Sequence, residues 1–353
     1  MKLPAKIGSK IAASVLVTGV CVAYALHGVD RAQVLAELRH LTAGAVLVYV
    51  LTLMATHAFR TWRWEFLLRP LGVSLGFRQL LPMSSVGFMA VLLLPLRLGE
   101  FVRPYYVARA RPVRMSAAVG TIAVERIIDG LCISILFFVA YLLSAGDVFS
   151  PELRVAAWLS LCGFLGLTAF LALALVRTEL AISLFLKLSL ISTLAPARAP
   201  RLSEHIRSLI SGFRVLSDHR NLAAFLAHTI AYWACNGLGM WVLARQMGLP
   251  ISLGAAFVTM AFTGVVLSLP NAPGLVGQFH AGIKMALAAY LPAAMVNTKG
   301  FAYAVVLHGL QTLWYVGAGV VALPFCGGKG ESLGQVLRSS QRAGDRAEAG
   351  LAE

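Results

Sequence analysis

The chain has 353 residues, 59% of them hydrophobic and 13% charged, with a mean hydropathy of +0.79, which excludes an ordinary soluble domain and points to repeated membrane-spanning helices. A formal charge of +15 would suit nucleic acid in a soluble protein, but the arginines cluster in short connections beside apolar segments, so the counter-charge is anionic lipid and nucleic acid is not a partner. Five scattered cysteines, Cys21, Cys132, Cys162, Cys235 and Cys326, lack metal-ligand spacing and read as small core residues.

Lys2, Lys6 and Lys10 precede an apolar run over 11–26. It is long for a signal-peptide core and many apolar segments follow, so an uncleaved first span is expected despite the Ala23-Tyr24-Ala25 triplet. Windows of membrane-crossing length place spans near 8–28, 41–58, 116–145, 155–176, 222–246 and 299–322. Two further apolar stretches, 79–108 and 252–291, are interrupted near their middles, the first by Pro82, Pro95 and Gly99, the second by Pro270, Pro273, Gly274 and Gly277. These read as broken re-entrant hairpins of paired half-helices. Both carry one pattern, Pro-x-x-x-Gly-[Glu/Gln]-Phe, as Pro95-Leu96-Arg97-Leu98-Gly99-Glu100-Phe101 and Pro273-Gly274-Leu275-Val276-Gly277-Gln278-Phe279. Backbone breaks at membrane depth are tolerated only where protein or a water-filled cavity satisfies them, so two matched breaks suggest one embedded site.

The basic segments are the N-terminus, the stretch with Arg60, Arg63, Arg69 and Arg78, the one with Arg103, Arg109, Arg111 and Arg114, and the connection over 177–220. The positive-inside rule puts them, and both termini, in the cytoplasm. The first hairpin then enters from the cytoplasmic face and the second from the opposite one, an inverted repeat. The expected architecture is all-α: a polytopic membrane protein of about six full spans plus two broken re-entrant hairpins. A transmembrane domain over 1–324 would hold repeat one at 41–145, repeat two at 222–322 and an interfacial connection at 177–220. Within that connection, 180–194 is expected to be interfacial or packed, and 202–216 to form an amphipathic helix on the cytoplasmic surface. Residues 325–353, rich in Gly, Ser, Arg and Glu, read as a disordered tail.

Ionisable groups inside apolar surroundings are costly unless paired. Glu100 lies at the first break, and Glu125 and Asp129 share a helix face in the following span, with Arg126 within reach. Together with Arg97 they can form a buried network. It either orients an anionic headgroup or carries protons, or else it is an ion-pair cluster that locks the hairpin against the span. Gly99 and Gly277 either open half-helices whose free amides face an anion or simply permit tight turns and close contacts. Gln278 stands where the first copy has Glu100, so the second hairpin is expected to supply hydrogen bonds rather than charge. His280 either faces the same site or packs; His228 and His308 read as packing, and Arg60 and Arg63 as topological charge or headgroup contacts. There is no GxxxxGK[ST], HExxH or GxSxG, so no nucleotide, metal or cofactor is expected.

The segments Arg63-Trp64-Glu65-Phe66-Leu67-Leu68, Leu94 through Arg103, Glu125-Arg126-Ile127-Ile128-Asp129 and Pro270-Asn271-Ala272-Pro273-Gly274 together resemble the lysylphosphatidylglycerol synthase transmembrane region, or flippase-like domain, family. The resemblance implies a bacterial inner-membrane protein that moves phospholipids, anionic or aminoacylated, between leaflets, without enzymatic activity of its own and with self-association open. It carries over Arg97, Gly99, Glu100, Arg103, Glu125, Arg126 and Asp129 as substrate-binding residues, and the second break adds Pro273, Gly274, Gly277, Gln278 and His280. The family's later motif usually reads Pro-Gly-Gly-Leu-Gly with a following Glu, and this chain departs from it. Synthase members also carry a soluble aminoacyl-transfer domain, for which the stretch after Pro324 is too short, so lysyl transfer is not expected. Alternatives are an intramembrane enzyme acting on a lipid or polyprenyl phosphate through Glu100 or Asp129, and a non-transporting scaffold of envelope biogenesis.

Overall fold

In a bilayer each backbone amide must find a partner within the chain, and for runs this apolar helices are the simplest solution. The computed structural model describes residues 5–143, 151–188, 199–269 and 273–326, and among these it contains helices and no strands. Helix α1 (Ala5–Leu26) turns by 80° into α2 (Arg31–Arg39), whose first amides, those of Ala32 and Gln33, bond to the Asp30 carboxylate. After α3 (Ala43–Leu68) come α4 (Phe77–Leu93), a 3-10 segment (Pro95–Phe101), α5 (Val102–Ala110) and the long α6 (Met115–Leu143). Then follow α7 (Pro151–Val176), α8 (Thr178–Leu188), α9 (Ala199–Ser211), α10 (His219–Gln246), α11 (Leu253–Val266), a 3-10 turn (Pro273–Leu275), α12 (Gln278–Leu287) and α13 (Phe301–Cys326). Asp218 caps α10, and the Asn221 amide it accepts holds its carboxyl below the usual carboxylate range.

Helices of 22 residues or more stand at all six expected span positions. Among the described residues, three stretches, Ala43–Leu71, Arg154–Val176 and Ala293–Cys326, are long and apolar enough to cross a membrane by themselves, and the bent pair α1–α2 gives a fourth. Helices α6 and α10 have the length, 29 and 28 residues, but carry polar side chains along it. The chain is therefore an all-α, multi-pass membrane protein.

Both expected interruptions are present, with one correction. Helix α4 runs through Pro82 and ends instead at Leu94, which is extended (φ −91°, ψ 138°) as a residue before proline prefers to be. The second interruption places Gly274, Leu275 and Gly277 at φ +77°, +57° and +85°. Around these breaks one order of elements occurs twice: α3, α4, break, α5, α6, and then α10, α11, break, α12, α13. The main helix contacts of one set have counterparts in the other: α4 lies against α13 as α11 lies against α6, while α3 and α10 pack along each other between them.

Helix α8 covers the start of the 180–194 stretch and packs against α7 and α9; 189–194 lie outside the described residues. Helix α9 turns Ile210 inward, with Ile206 and Leu209 beside it, to join a protein core with Phe213 and α6, and Leu202 is buried too, so the apolar face of α9 is covered by protein. Glu179 on α8 accepts both Arg207 Nε and Nη2, at 3.0 and 2.9 Å. The tail over 327–353 lies outside the described residues.

Helix α1 docks on α12 through a buried lysine. Lys284 Nζ donates to the backbone carbonyls of Tyr24, Ala25 and His27, at the end of α1 where carbonyls run short of helical donors. Lys284→Met should cost about 2 kcal/mol, the value of hydrogen bonds to a charged group. It should also speed maleimide labelling of Cys21, a half-buried thiol packed in the same cluster; unchanged labelling would mean that α1 is held by apolar contact alone.

Candidate functional site

The span α6 places Glu125 and Asp129 one turn apart on one face, and α3 delivers Arg63 between them. Arg63 Nη1 and Nη2 donate to the two Asp129 oxygens at 2.6 and 2.7 Å, and Nη2 also reaches Glu125 Oε1 at 2.7 Å. From α5, Arg103 Nη1 donates to Glu125 Oε2 at 3.0 Å, and Arg126 Nη2 donates to Glu125 Oε1 at 3.1 Å. Arg63, Arg103 and Glu125 are fully buried. The guanidinium of Arg63 lies 4.8 Å from the Tyr232 ring centre, and that of Arg103 lies 4.8 Å from Phe88 and 5.1 Å from Trp64. Forked guanidinium–carboxylate pairing and aromatic faces are what make such burial tolerable in a membrane.

The pairing leaves a remainder. Four arginines, Arg60, Arg63, Arg103 and Arg126, meet three carboxylates, Glu100, Glu125 and Asp129, so the cluster carries one surplus positive charge. It falls at Arg60, which makes no ion pair with any described residue; its guanidinium sits 4.0 Å from the Phe88 ring centre, and its Nε is buried without a partner. Glu100 is only loosely engaged, 3.7 Å from Arg103 Nη2 and 3.8 Å from Arg126 Nε, too far for hydrogen bonds.

Arg60, Glu100 and Arg126 form one wall of a cavity of about 210 Å³. The opposite wall comes from α10, α11 and α13, with Tyr232, Trp233, Asn236, His308, Gln311 and Tyr315 among its residues. Leu275, one of the positive-φ residues of the second break, also faces it. Such a place can hold an anion beside Arg60 and Arg126. Among the described residues no three His, Cys, Asp or Glu side chains come together as metal ligands.

The residues singled out by sequence are distributed as follows. Glu100 and Arg126 line the cavity; Arg103, Glu125 and Asp129 form the buried network behind it. Arg97 belongs to the 3-10 segment, and its side chain lies outside the described part of the structure. Gly99 is not a helix start facing an anion: a Cβ there would come within 2.2 Å of the Ala90 backbone, so it is the contact point between the 3-10 segment and α4. Gly277 precedes α12 at φ +85° and abuts Val22 and Thr18 of α1, so it too serves a tight turn and a helix contact. Pro273 is exposed, and Gly274 accepts His308 Nε2 through its carbonyl at 2.7 Å. Gln278 is buried away from the cavity wall. His280 stands behind it, its ring centre 4.9 Å from His308 and 5.9 Å from Phe301.

Sequence reasoning missed Arg63 as a network centre and Arg60 as a cavity residue, having read both as topological charges or headgroup contacts. The signal for Arg60 was spacing: Leu53, His57, Arg60 and Trp64 follow i, i+4, i+7 and i+11 along one helix. His308, assigned to packing, lines the cavity. Asn236 and Gln311 drew no attention, being single neutral residues in apolar runs.

The chain is similar throughout to the family described as "Lysylphosphatidylglycerol synthase TM region", which matches residues 11–319. A UPF0104 membrane protein of Methanothermobacter thermautotrophicus is 26% identical over 299 residues, covering 80% of this chain and 85% of that protein. No solved structure matches the chain.

Proposed function

This chain belongs to the lysylphosphatidylglycerol synthase TM region family, and we propose on that premise that it is a lipid translocator, moving an anionic phospholipid between leaflets of a bacterial inner membrane without altering it chemically. The observation that carries this reading is the surplus positive charge at Arg60, on the wall of a membrane-embedded cavity. A cation kept there without a carboxylate is costly until an anion arrives, and a phosphate between Arg60 and Arg126 neutralises it. Phosphate, unlike a protein carboxylate, can leave with its lipid.

The doubled element order supports an inverted repeat. With the basic connections and both termini in the cytoplasm, the two breaks enter from opposite faces, and their exchange of conformation opens the cavity to either side in turn. Charge comes from the first set of helices and hydrogen bonding from the second.

Arg60→Gln tests this directly, because the residue is tied to no carboxylate and its loss spares the buried network. In proteoliposomes containing a fluorescent phosphatidylglycerol, the variant should insert normally and lose about tenfold or more of the rate at which the probe becomes accessible to an external quencher. Movement at the unaltered rate would remove the anion site. A probe recovered chemically changed would favour an intramembrane enzyme, and no movement by either protein would favour the scaffold.

A further inference from the structure

We infer that the cavity selects a phosphodiester bearing a small polyol, and discriminates against headgroups carrying an amine. This deepens the anion-binding reading above and rests on it. The argument comes from the wall opposite Arg60 and Arg126, which holds several polar groups with nothing to bond to. Thr312 Oγ1 and Trp233 Nε1 are buried without partners. Threonines on helices usually turn the hydroxyl back to the carbonyl four residues earlier, as Thr263 does to Thr259 at 2.7 Å; Thr312 does not. Gln311 spends its amide nitrogen on Tyr49 Oη at 2.8 Å, which leaves its carbonyl oxygen. Asn236 makes no hydrogen bond with a described residue and faces the same space.

Buried polar groups in proteins almost always have partners, so these groups are free to bond to what enters the cavity. The wall offers donors and acceptors side by side and no charge. A hydroxyl both donates and accepts, and so matches it; an ammonium donates only, and leaves a donor such as Trp233 Nε1 unanswered. Among the described residues the one carboxylate lining the cavity is Glu100, which stands 3.7 Å from Arg103 and 3.8 Å from Arg126, and an added amine would meet the surplus charge of Arg60. The cavity volume, about 210 Å³, accommodates a phosphate with a short polyol.

The test uses the full-length protein in phosphatidylcholine vesicles containing equal parts of phosphatidylglycerol, phosphatidylethanol and phosphatidylethanolamine. Phosphatidylethanol has the same single charge as phosphatidylglycerol but no headgroup hydroxyl. After gentle extraction, retained lipids are quantified by mass spectrometry. The unaltered chain should retain phosphatidylglycerol over phosphatidylethanol by roughly tenfold and exclude phosphatidylethanolamine. Thr312→Val with Asn236→Leu should bring the first ratio to the vesicle value while total anionic lipid stays high; the near-isosteric Thr312→Val alone, which spares packing, should lower it severalfold. Equal retention of the two anionic lipids by the unaltered chain, or an unchanged preference in both variants, would overturn the polyol assignment and leave the anion site standing. Bulk-like retention of all three lipids by the unaltered chain would remove the anion site itself. Displacement of phosphatidylglycerol by soluble glycerol 3-phosphate would overturn the lipid source of the polyol.

Discussion

Arg63→Met is expected to unfold this protein under conditions where the unaltered chain survives, with a loss of roughly 3–5 kcal/mol, the range seen when one partner of a buried charge pair is removed. The reason is what stays behind. Asp129 loses both of its short contacts at once, and Glu125 loses one of three; Arg126 stands 3.8 Å from Asp129, too far to replace a direct hydrogen bond. Deep in a low-dielectric interior the stranded carboxylate must then either stay charged or take up a proton, and each is unfavourable. Thermal unfolding in detergent reads the loss. Adding Asp129→Leu to Arg63→Met should recover more than half of it, since Glu125 keeps Arg103 and Arg126. A single variant that melts with the unaltered protein would mean that water reaches the network.

Gly99→Ala should be nearly as damaging, by about 3 kcal/mol, although it adds one methyl group. The new carbon would lie 2.2 Å from Ala90 C and from Val91 N, and 2.4 Å from Ala90 O. Those are backbone atoms of α4, which cannot swing aside as a side chain can. The 3-10 segment must therefore lift off α4, carrying Glu100 from Arg126 and pulling Arg103 from Glu125, so the lipid-movement rate should fall together with the melting temperature. Gly309→Ala on α13 is the control: nothing stands within 4 Å of its added carbon, and it should be close to neutral. Comparable melting of the two variants would refute the tight approach at Gly99.

How far such features could be read from sequence depends on what each one does to its neighbours. The breaks were legible because proline and glycine act on their own backbone: Pro95 and Pro273 each open a 3-10 segment, wherever the rest of the chain lies. Pro82 misled for a related reason, since its effect depends on whether the carbonyl of Arg78, deprived of its helical donor, can be left unbonded. The repeated heptapeptide marked both breaks, yet its two glycines do different things, one meeting α4 and the other turning the backbone against α1. Glu100, Glu125, Arg126 and Asp129 stood out as charges in apolar runs, and all four meet in space. Arg63 did not stand out, because Arg69 and Arg78 further along made it look like one more loop charge; its partners are 62 and 66 residues away, a separation that no local pattern encodes. The neutral cavity wall was illegible for the same reason: Asn236, Gln311 and Thr312 acquire meaning only through what they lack.

The lysine that holds α1 also sets an order of events during synthesis. The three carbonyls at the end of the first helix wait for an ammonium that lies 257 to 260 residues downstream. At a ribosomal rate of about 5–20 residues per second, that delay is roughly 13 to 50 s. Throughout it α1 sits in the bilayer without its lysine contact and with the flank that will meet α12 open to other helices. A nascent chain is therefore most exposed to mispairing, and most in need of an insertase or a protecting neighbour, before its second half has emerged.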